Sequence, residues 1–238
     1  MGRMTESAPK CLTQLAGQAL IQWQLSALHA AGVQEFCIVR GYQKQKIQMQ
    51  GCEYRDNPRW ASSNMLRSLQ CAQDLLMNHE VIVCYSDILF HPHHVQALLA
   101  AQGDIRITYD LSWKVLWKQR FDSPLDDAET FSQYGGRLLE IGQKTSDMGR
   151  IDGQYMGLTA ITPRGWQQIQ AVLAPLGEPE LDKLDMTSLF SLLLEQGIGI
   201  AAVPVDGKWC EVDTEHDYNI YRKQLQKAGS WKHDWRWQ

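Results

Sequence analysis

The sequence predicts an α/β protein in which helices cover both faces of a mostly parallel sheet, forming a three-layer α/β/α sandwich. Apolar strand patterns alternate with amphipathic helix patterns along most of the 238 residues. Residues 81–84 are consecutive apolar residues, mostly β-branched, which is typical of a strand buried on both faces. No repeat or linker interrupts the alternation. We therefore expect one domain over residues 1–228, followed by a Trp-rich tail over residues 229–238.

The composition narrows the functional class. Hydrophobic residues make up 44% and charged residues 21% of the chain, as in ordinary globular proteins. The formal net charge of −4 argues against a nucleic-acid partner, because such domains usually carry a basic excess. The six cysteines include no Cys-x-x-Cys pair, and no apolar run approaches the roughly 18 residues that span a bilayer. The expectation is a cytoplasmic protein without a membrane partner.

The first elements follow from periodicity. A helix is predicted over residues 18–31, where Gly32 ends the apolar pattern, and a buried strand over residues 35–40. A helix followed by a strand is half of a βαβ unit, and nothing upstream can serve as its opening strand. Further helices are predicted over residues 62–76, 91–101, 166–176, 186–195 and 217–227, and further strands over residues 52–55, 104–111, 137–141, 154–161 and 198–205.

Two aspartates stand at the ends of apolar strand patterns. Asp87 follows the strand at residues 81–84, and Asp213 follows Trp209-Cys210-Glu211-Val212. Ligands of open α/β sheets collect beyond the carboxyl ends of the strands, and two carboxylates brought together there suit Mg²⁺. The alternative for Asp87 is a helix N-cap, which aspartate also favours.

Two other features allow a functional or an ordinary interpretation. His91, His93 and His94 suggest a metal site, but Pro92 splits them, and solvent-facing histidines are the expected arrangement. Lys10 after Pro9 could place a point charge on a phosphate, or it could be a solvated surface residue.

Several blocks, taken together and in order, resemble the MobA-like nucleotidyltransferases, in particular the branch that makes CDP-choline or CMP-aminoethylphosphonate. The blocks are Pro9-Lys10-Cys11-Leu12, Gly41-Tyr42, Asn57-Pro58-Arg59 with Ser63-Asn64, Tyr85-Ser86-Asp87-Ile88-Leu89-Phe90, and Trp209-Cys210-Glu211-Val212-Asp213-Thr214-Glu215-His216-Asp217. The segment from Trp113 to Phe131, with Pro124-Leu125-Asp126-Asp127-Ala128-Glu129, favours this branch over the sugar nucleotidyltransferases. The resemblance implies a nucleotidyltransferase fold of the GT-A type from which the first strand is missing.

The resemblance also implies roles for individual residues. Asp87 and Asp213 would hold the Mg²⁺, Lys10 would steady the nucleotide phosphates, and Arg3, a remnant of the glycine-rich phosphate loop, would assist in binding the nucleotide. Asn57, Ser63 and Asn64 would lie near the nucleoside. Nucleotidyl transfer requires positioning and charge neutralisation, which such residues can provide.

The acceptor is expected to carry a cation at its other end. Trp113, Trp117 and Tyr155 are candidate walls for an ammonium group, with Glu211 as counter-charge. The alternative is that these aromatic residues pack the core. Arg120 and Lys144 are candidates for binding the acceptor phosphate or phosphonate. The tail, with Trp231, Trp235 and Trp237, is expected to dock on its own domain or on a second subunit, so a homodimer is a further expectation.

The predicted function is transfer of CMP from CTP to phosphocholine, 2-aminoethylphosphonate or a similar acceptor, with release of pyrophosphate. The alternatives are a sugar-phosphate nucleotidyltransferase and a catalytically silent ligand-binding homologue. Only Gly2-Arg3-Met4 could be the tail of the family's phosphate loop. We therefore expect either a start at an internal methionine of a longer reading frame or a naturally truncated protein of low activity, with unpaired edges on the strands beside the missing one.

Overall fold

The computed structural model describes residues 8–227 and 230–237. Within these ranges the helices are α1 (Leu20–Ala30), α2 (Met65–Gln70), α3 (Gln73–Asn78), α4 (Pro92–Ala100), α5 (Trp113–Arg120), α6 (Pro163–Leu173), α7 (Glu178–Leu181), α8 (Met186–Glu195) and α9 (Glu215–Gln226). The strands are β1 (Gln14–Leu15), β2 (Gln18–Ala19), β3 (Phe36–Arg40), β4 (Cys52–Asp56), β5 (Val81–Cys84), β6 (Ile88–Phe90), β7 (Ile105–Asp110), β8 (Glu129–Tyr134), β9 (Arg137–Lys144), β10 (Gln154–Ile161), β11 (Ala201–Val205) and β12 (Trp209–Glu211). None of these helices combines the length and the apolar character that a membrane span requires.

The main sheet has six strands in the order β5-β10-β7-β11-β9-β8. Strands β5, β7, β11 and β8 point one way, because β5 and β7 are both antiparallel to β10, β7 is parallel to β11, and β9 is antiparallel to both β11 and β8. Most strands thus share one direction. However, β10 enters between β5 and β7 after the β8–β9 hairpin, without the helical crossover that a parallel neighbour needs. Neighbouring pairs are therefore more often antiparallel than we predicted.

Helices cover both faces of this sheet, which confirms the predicted α/β class. Alternate residues of β11 point to opposite faces, as the strand period requires. Ala202 packs in a core with α2, α6 and α8, whereas Val203 and Val205 pack in a second core with α1, α4 and α5. The two cores place the sheet in the middle layer of the fold.

The structure corrects several predicted elements. The helix predicted over residues 62–76 is divided into α2 and α3. Strand β8 was not predicted, and β9 continues beyond the predicted strand end at residue 141 through Gly142, whose φ of 86° suits glycine. His91 and His94 are buried rather than solvent-facing, and the His91 ring accepts a hydrogen bond from the His93 backbone at the start of α4. Burial lowers the pKa of His94 to about 3.

The tail packs on its own domain. Trp235 is fully buried and meets Trp23 edge-on, with ring centroids 6.0 Å apart. His233 is also buried, and its Nδ1 lies 3.1 Å from the Trp209 carbonyl oxygen. Of the two docking sites predicted for the tail, its own domain is therefore the one observed.

Strands β3 and β5 each have one strand partner within the described ranges, β4 and β10 respectively. Both strands line one cleft along their whole lengths, so their second edges have no strand partner there.

Candidate active site

Asp87 lies in the tight turn between β5 and β6. The side chain of Gln24, which reaches this turn from α1, donates hydrogen bonds to the carbonyl oxygens of Tyr85 and Ile88, each 2.7 Å long. Gln24 is itself buried. The turn that carries Asp87 is therefore fixed on both sides of the aspartate by one amide group.

Asp213 reaches the same place because β12 pairs with β6. Glu211 lies opposite Ile88 in this antiparallel pair, and the Val212 N–H donates to the Asp87 carbonyl oxygen at 2.8 Å. Asp213 is the next residue, immediately before the Thr214 cap of α9. Strand pairing thus sets the two aspartates side by side, although they are 126 positions apart in the sequence.

Lys10 joins the two aspartates. Its Nζ donates to Asp87 Oδ2 at 2.7 Å and to Asp213 Oδ1 at 2.6 Å. Two carboxylate oxygens that contact a single ammonium are close enough to share one cation, so the predicted convergence of Asp87 and Asp213 is confirmed. Lys10 opens a short 3₁₀ helix after Pro9. Arg3, which we predicted to contact the nucleotide, lies outside the described residues.

The electrostatics of this cluster keep Lys10 charged. Burial lowers the pKa of the Lys10 ammonium, but Asp87 and Asp213 outweigh that effect and the pKa is raised overall. Burial also opposes ionisation of Asp213, and Lys10 more than compensates, so the pKa of Asp213 is lowered. Burial, reinforced by the negative charge of Asp87, raises the pKa of Glu211 to about 7.

Two carboxylates that converge on one point are a suitable donor set for Mg²⁺. Magnesium binds proteins through one or two carboxylates and completes its shell with water and substrate phosphates. The described residues contain no cluster of three or more His, Cys, Asp and Glu side chains arranged to hold a metal. The oxygens of Asp87 and Asp213 already accommodate one positive charge, that of Lys10, so they fit the predicted ion.

Arg120 supports this cluster from inside the protein. Its Nε and Nη2 donate to the two carboxylate oxygens of Asp217, and its Nη1 donates to Glu211 Oε2 at 3.1 Å. Asp217 Oδ2 in turn accepts the backbone N–H groups of Asp213 and Thr214. We predicted that Arg120 binds the acceptor phosphate; the structure instead pairs its buried guanidinium with protein carboxylates.

Asp217 was not among the predicted site residues. A sequence signal for it exists, since Thr214 and Asp217 form the capping box that begins α9.

A cleft of about 1690 Å³ opens beside the aspartates. One end lies between β3 and β5, and the other is bordered by β8, β9 and β10. Tyr85 and Tyr155 meet edge-on in its wall, with centroids 5.8 Å apart, and Gly157 leaves room for the Tyr85 ring. The predicted acceptor residues that line the cleft are Trp117, Arg120, Lys144, Tyr155 and Glu211.

Trp113 is the exception among the predicted aromatic residues. It is 1% exposed and packs in the core against Trp117, so it forms no part of the described cleft wall. Trp117 lies one helical turn after Trp113 on the same face of α5, and only the later ring lines the cleft. Trp113 therefore packs in the core, which was the alternative to the predicted ammonium-binding wall.

The residues predicted near the nucleoside shape a loop. Asn57 is buried, and its amide nitrogen donates to the hydroxyl groups of Ser63 and Ser68. Asn64 caps α2 and donates to the Lys183 carbonyl oxygen. Ser68 lines the cleft, whereas Asn57, Ser63 and Asn64 are not among the described residues that line it. The hydrogen bonds of these three residues stabilise the loop, and their contact with a nucleoside stays a prediction.

Comparison with known proteins assigns the chain to a family. Residues 2–128 match the MobA-like NTP transferase domain, and the chain belongs to that family. It is 29% identical to the CTP:phosphoglutamine cytidylyltransferase of Campylobacter jejuni over 233 residues, which cover 91% of this chain and 92% of that one. It is 26% identical to the 2-aminoethylphosphonate cytidylyltransferase of Lancefieldella rimae over 100 residues, 40% of this chain and 41% of that one.

The fold has close counterparts among solved structures. The inositol-1-phosphate CTP transferase from T. maritima superimposes with a TM-score of 0.71 at 13% identity, covering 95% of this chain and 91% of that one. This likeness concerns the fold alone. The family match and the full-length relative identify the protein as an enzyme of the nucleotidyltransferase class, as the sequence predicted.

Proposed function

We propose that the protein is a Mg²⁺-dependent cytidylyltransferase that transfers CMP from CTP to a small phosphorylated or phosphonylated acceptor. The observation that carries the proposal is the convergence of Asp87 and Asp213 on one cation position at the edge of a large cleft. The relatives named for CTP, phosphoglutamine and 2-aminoethylphosphonate support the choice of nucleotide and of acceptor class.

The reaction needs little proton chemistry. An oxygen of the acceptor phosphate or phosphonate forms a bond to the α-phosphorus of CTP, while the bond from that phosphorus to the bridging oxygen breaks and pyrophosphate leaves. The acceptor oxygen is already ionised near neutral pH, so no general base is required. What the protein contributes is alignment and charge neutralisation.

The residues that supply these two effects form one cluster. Bound Mg²⁺ would neutralise phosphate charge as it develops in the transition state. Asp87 and Asp213 would hold the ion, and Lys10, released from one or both carboxylates, would donate to the nucleotide phosphates. Lys10 suits this role because its neighbouring carboxylates keep it protonated.

The cleft wall suits an acceptor that is small and carries an amino group. Tyr155 and Trp117 contribute aromatic surface to the cleft, and aromatic faces attract cations by up to about 2 kcal/mol when desolvated. Alanine at Tyr155 should therefore raise the acceptor KM more than the KM for CTP. An equal rise for both substrates would mean that Tyr155 only packs the wall.

Pyrophosphate release tests the function directly. The purified chain is incubated with Mg²⁺ and CTP, UTP, ATP or GTP, each against phosphocholine, phosphoethanolamine, 2-aminoethylphosphonate and hexose 1-phosphates. Release with CTP and an amino-bearing acceptor is expected. Release confined to a sugar phosphate with another nucleotide would replace the proposal by the sugar-phosphate alternative.

Nucleotide binding distinguishes the silent homologue. Thermal stabilisation by CTP and Mg²⁺ without pyrophosphate release from any acceptor would indicate a ligand-binding protein. The Asp87→Asn variant is the matched control, because it should lose the Mg²⁺-dependent part of the stabilisation while keeping the shape of the site.

A further inference from the structure

Two opposite charges lie at the end of the cleft bordered by the β8–β9 hairpin. Glu129 begins β8 and Lys144 ends β9, and the two residues are directly opposite in the strand register. Both line the cleft that also contains Asp87 and Asp213. Cross-strand neighbours of opposite charge often pair with each other. Here the Lys144 ammonium donates instead to the Asp127 carbonyl oxygen, at 3.0 Å.

The main chain of Glu129 is held by Gln154, and Lys144 is the cation whose charge acts on the Glu129 carboxyl. Gln154 on β10 donates to its carbonyl oxygen at 2.7 Å and accepts from its backbone N–H. Burial raises the pKa of the Glu129 carboxyl, and nearby Asp185 and Asp127 raise it further against the opposing effect of Lys144. A half-buried carboxylate among other carboxylates is a favourable partner for a cation supplied from the cleft.

A continuous series of contacts connects this end to the reaction centre. Asp127 accepts a hydrogen bond from Trp117 Nε1, and the Trp117 ring lies 5.3 Å from the Arg120 guanidinium. Arg120 contacts Glu211, which precedes Asp213 by two positions. The residues of this series all line the cleft, so they form one continuous wall between the hairpin and the reaction centre.

We propose that the acceptor carries an amino-acid head group at its end remote from phosphorus, with its ammonium on Glu129 and its carboxylate on Lys144. This assignment of the acceptor head group rests on the proposed function and specifies the substrate class of the enzyme. An acceptor with an ammonium alone would match Glu129 and leave the Lys144 charge without a counterpart. An amino-acid zwitterion satisfies both charges, at the spacing of one cross-strand pair.

Three acceptors that differ by one group each provide the test. O-phosphoserine carries both charges, phosphoethanolamine lacks the carboxylate, and 3-phosphooxypropanoate lacks the ammonium; O-phosphohomoserine extends the spacer by one methylene. The kcat/KM of the better phosphoamino acid should exceed that of each singly charged acceptor by about 10-fold or more, the effect of one charge-assisted hydrogen bond.

Variants assign the two charges. Lys144→Met should remove the preference for phosphoserine over phosphoethanolamine, and Glu129→Gln should remove the preference over 3-phosphooxypropanoate. Neither should change the KM for CTP. Glu140→Gln is the matched control, because Glu140 lies on the same hairpin, pairs with Arg150 and is not among the residues lining the cleft. This control should keep both preferences.

The outcomes separate the two proposals. Turnover of CTP with equal kcat/KM for charged and uncharged head groups, or preferences unchanged in Lys144→Met and Glu129→Gln, would refute the amino-acid head group and leave the cytidylyltransferase intact. Failure of every acceptor with every nucleotide would refute the proposed function, and the acceptor assignment with it.

Discussion

Arg120 and Asp217 form a two-point ion pair beneath the candidate active site. Arg120 Nε lies 3.0 Å from Asp217 Oδ1 and Nη2 lies 3.3 Å from Oδ2, and both side chains are 2% exposed. The same Asp217 carboxylate accepts the backbone N–H groups of Asp213 and Thr214. The planar guanidinium therefore determines where the Asp213 turn lies, although it does not itself contact Asp213 in any of these bonds.

Substitution of Arg120 should affect both folding and catalysis. Arg120→Met leaves Asp217 buried without its cation, which should destabilise the fold by about 3–5 kcal/mol. Arg120→Lys keeps the charge but cannot form the two-point contact, so a folded variant with kcat lowered about 10-fold or more is expected. Urea unfolding and steady-state kinetics measure the two effects. Arg150→Lys, at an exposed pair with Glu140, is the control.

A folded Arg120→Lys enzyme with normal kcat would contradict a positioning role. A rise in the acceptor KM alone, with kcat unchanged, would return Arg120 to the acceptor-binding role predicted from sequence.

The two aspartates should each be required for turnover. Asp87→Asn and Asp213→Asn remove one negative charge from the cation position at nearly constant shape, and we expect kcat to fall on the order of 10³-fold without loss of the fold. Asp213 is the more exposed of the two, so its variant should retain more activity. Circular dichroism monitors folding, and titration with Mg²⁺ tests rescue. A near wild-type rate at saturating Mg²⁺ in either variant would refute the metal assignment.

Removal of divalent ions by EDTA should abolish pyrophosphate release, and added Mg²⁺ should restore it. The EDTA-treated protein should stay folded, because Lys10 already bridges Asp87 and Asp213. Loss of the near-ultraviolet circular dichroism spectrum on chelation would instead indicate a structural ion.

The sequence predicted the part of the site that depends on strand ends. Asp87 and Asp213 each follow an apolar strand pattern, and the ends of neighbouring strands meet at one place, so their convergence could be anticipated. The Arg120–Asp217 pair could not, because nothing local relates a helix-terminal arginine to an aspartate 97 positions later. Trp113 and Trp117 show a similar limit, since both lie on one face of α5 and only the packing of the helix in the fold decides which of the two rings lines the cleft.

The direction of a strand could not be predicted from the local sequence pattern either. An apolar run such as β10 predicts a buried strand, but its direction depends on whether the chain arrives by a crossover or from a hairpin. The preceding hairpin was only partly recognised, because β8 has a polar and aromatic sequence with little alternation. The Glu129–Lys144 register, which depends on that hairpin, was therefore visible only in the structure.

The tail should contribute to stability. Trp235 is fully buried against Trp23, whose Nε1 donates to the Leu15 carbonyl oxygen. Trp235→Ala should lower the free energy of unfolding by about 3–5 kcal/mol, as large core truncations do. Trp60→Ala, at a ring 46% exposed, is the control and should cost much less. Equal unfolding midpoints in urea for the two variants would mean that the tail docking adds nothing.

Glu211 should make stability depend on pH in a direction opposite to that of an ordinary ion-paired carboxylate. Burial and the charge of Asp87 raise its pKa to about 7 from an ordinary value of 4.5, although Arg120 opposes them. The folded state therefore holds more protons than the unfolded state between these values. The stabilisation of the folded state by protonated Glu211 is complete below pH 4.5 and is lost as the pH rises to 7.

The Glu211→Gln variant tests this pH dependence, because its side chain is neutral throughout and the variant loses no such stabilisation over this range. The melting temperature of the variant minus that of the wild type should thus increase between pH 5 and pH 8 by about 5 °C, from a change on the order of 2 kcal/mol. Glu215→Gln, at an exposed position on α9, should show no such increase. If the melting temperatures of the wild type and of Glu211→Gln changed with pH by the same amount, Glu211 would ionise as it does in water. That result would exclude a desolvated carboxyl beside Asp87.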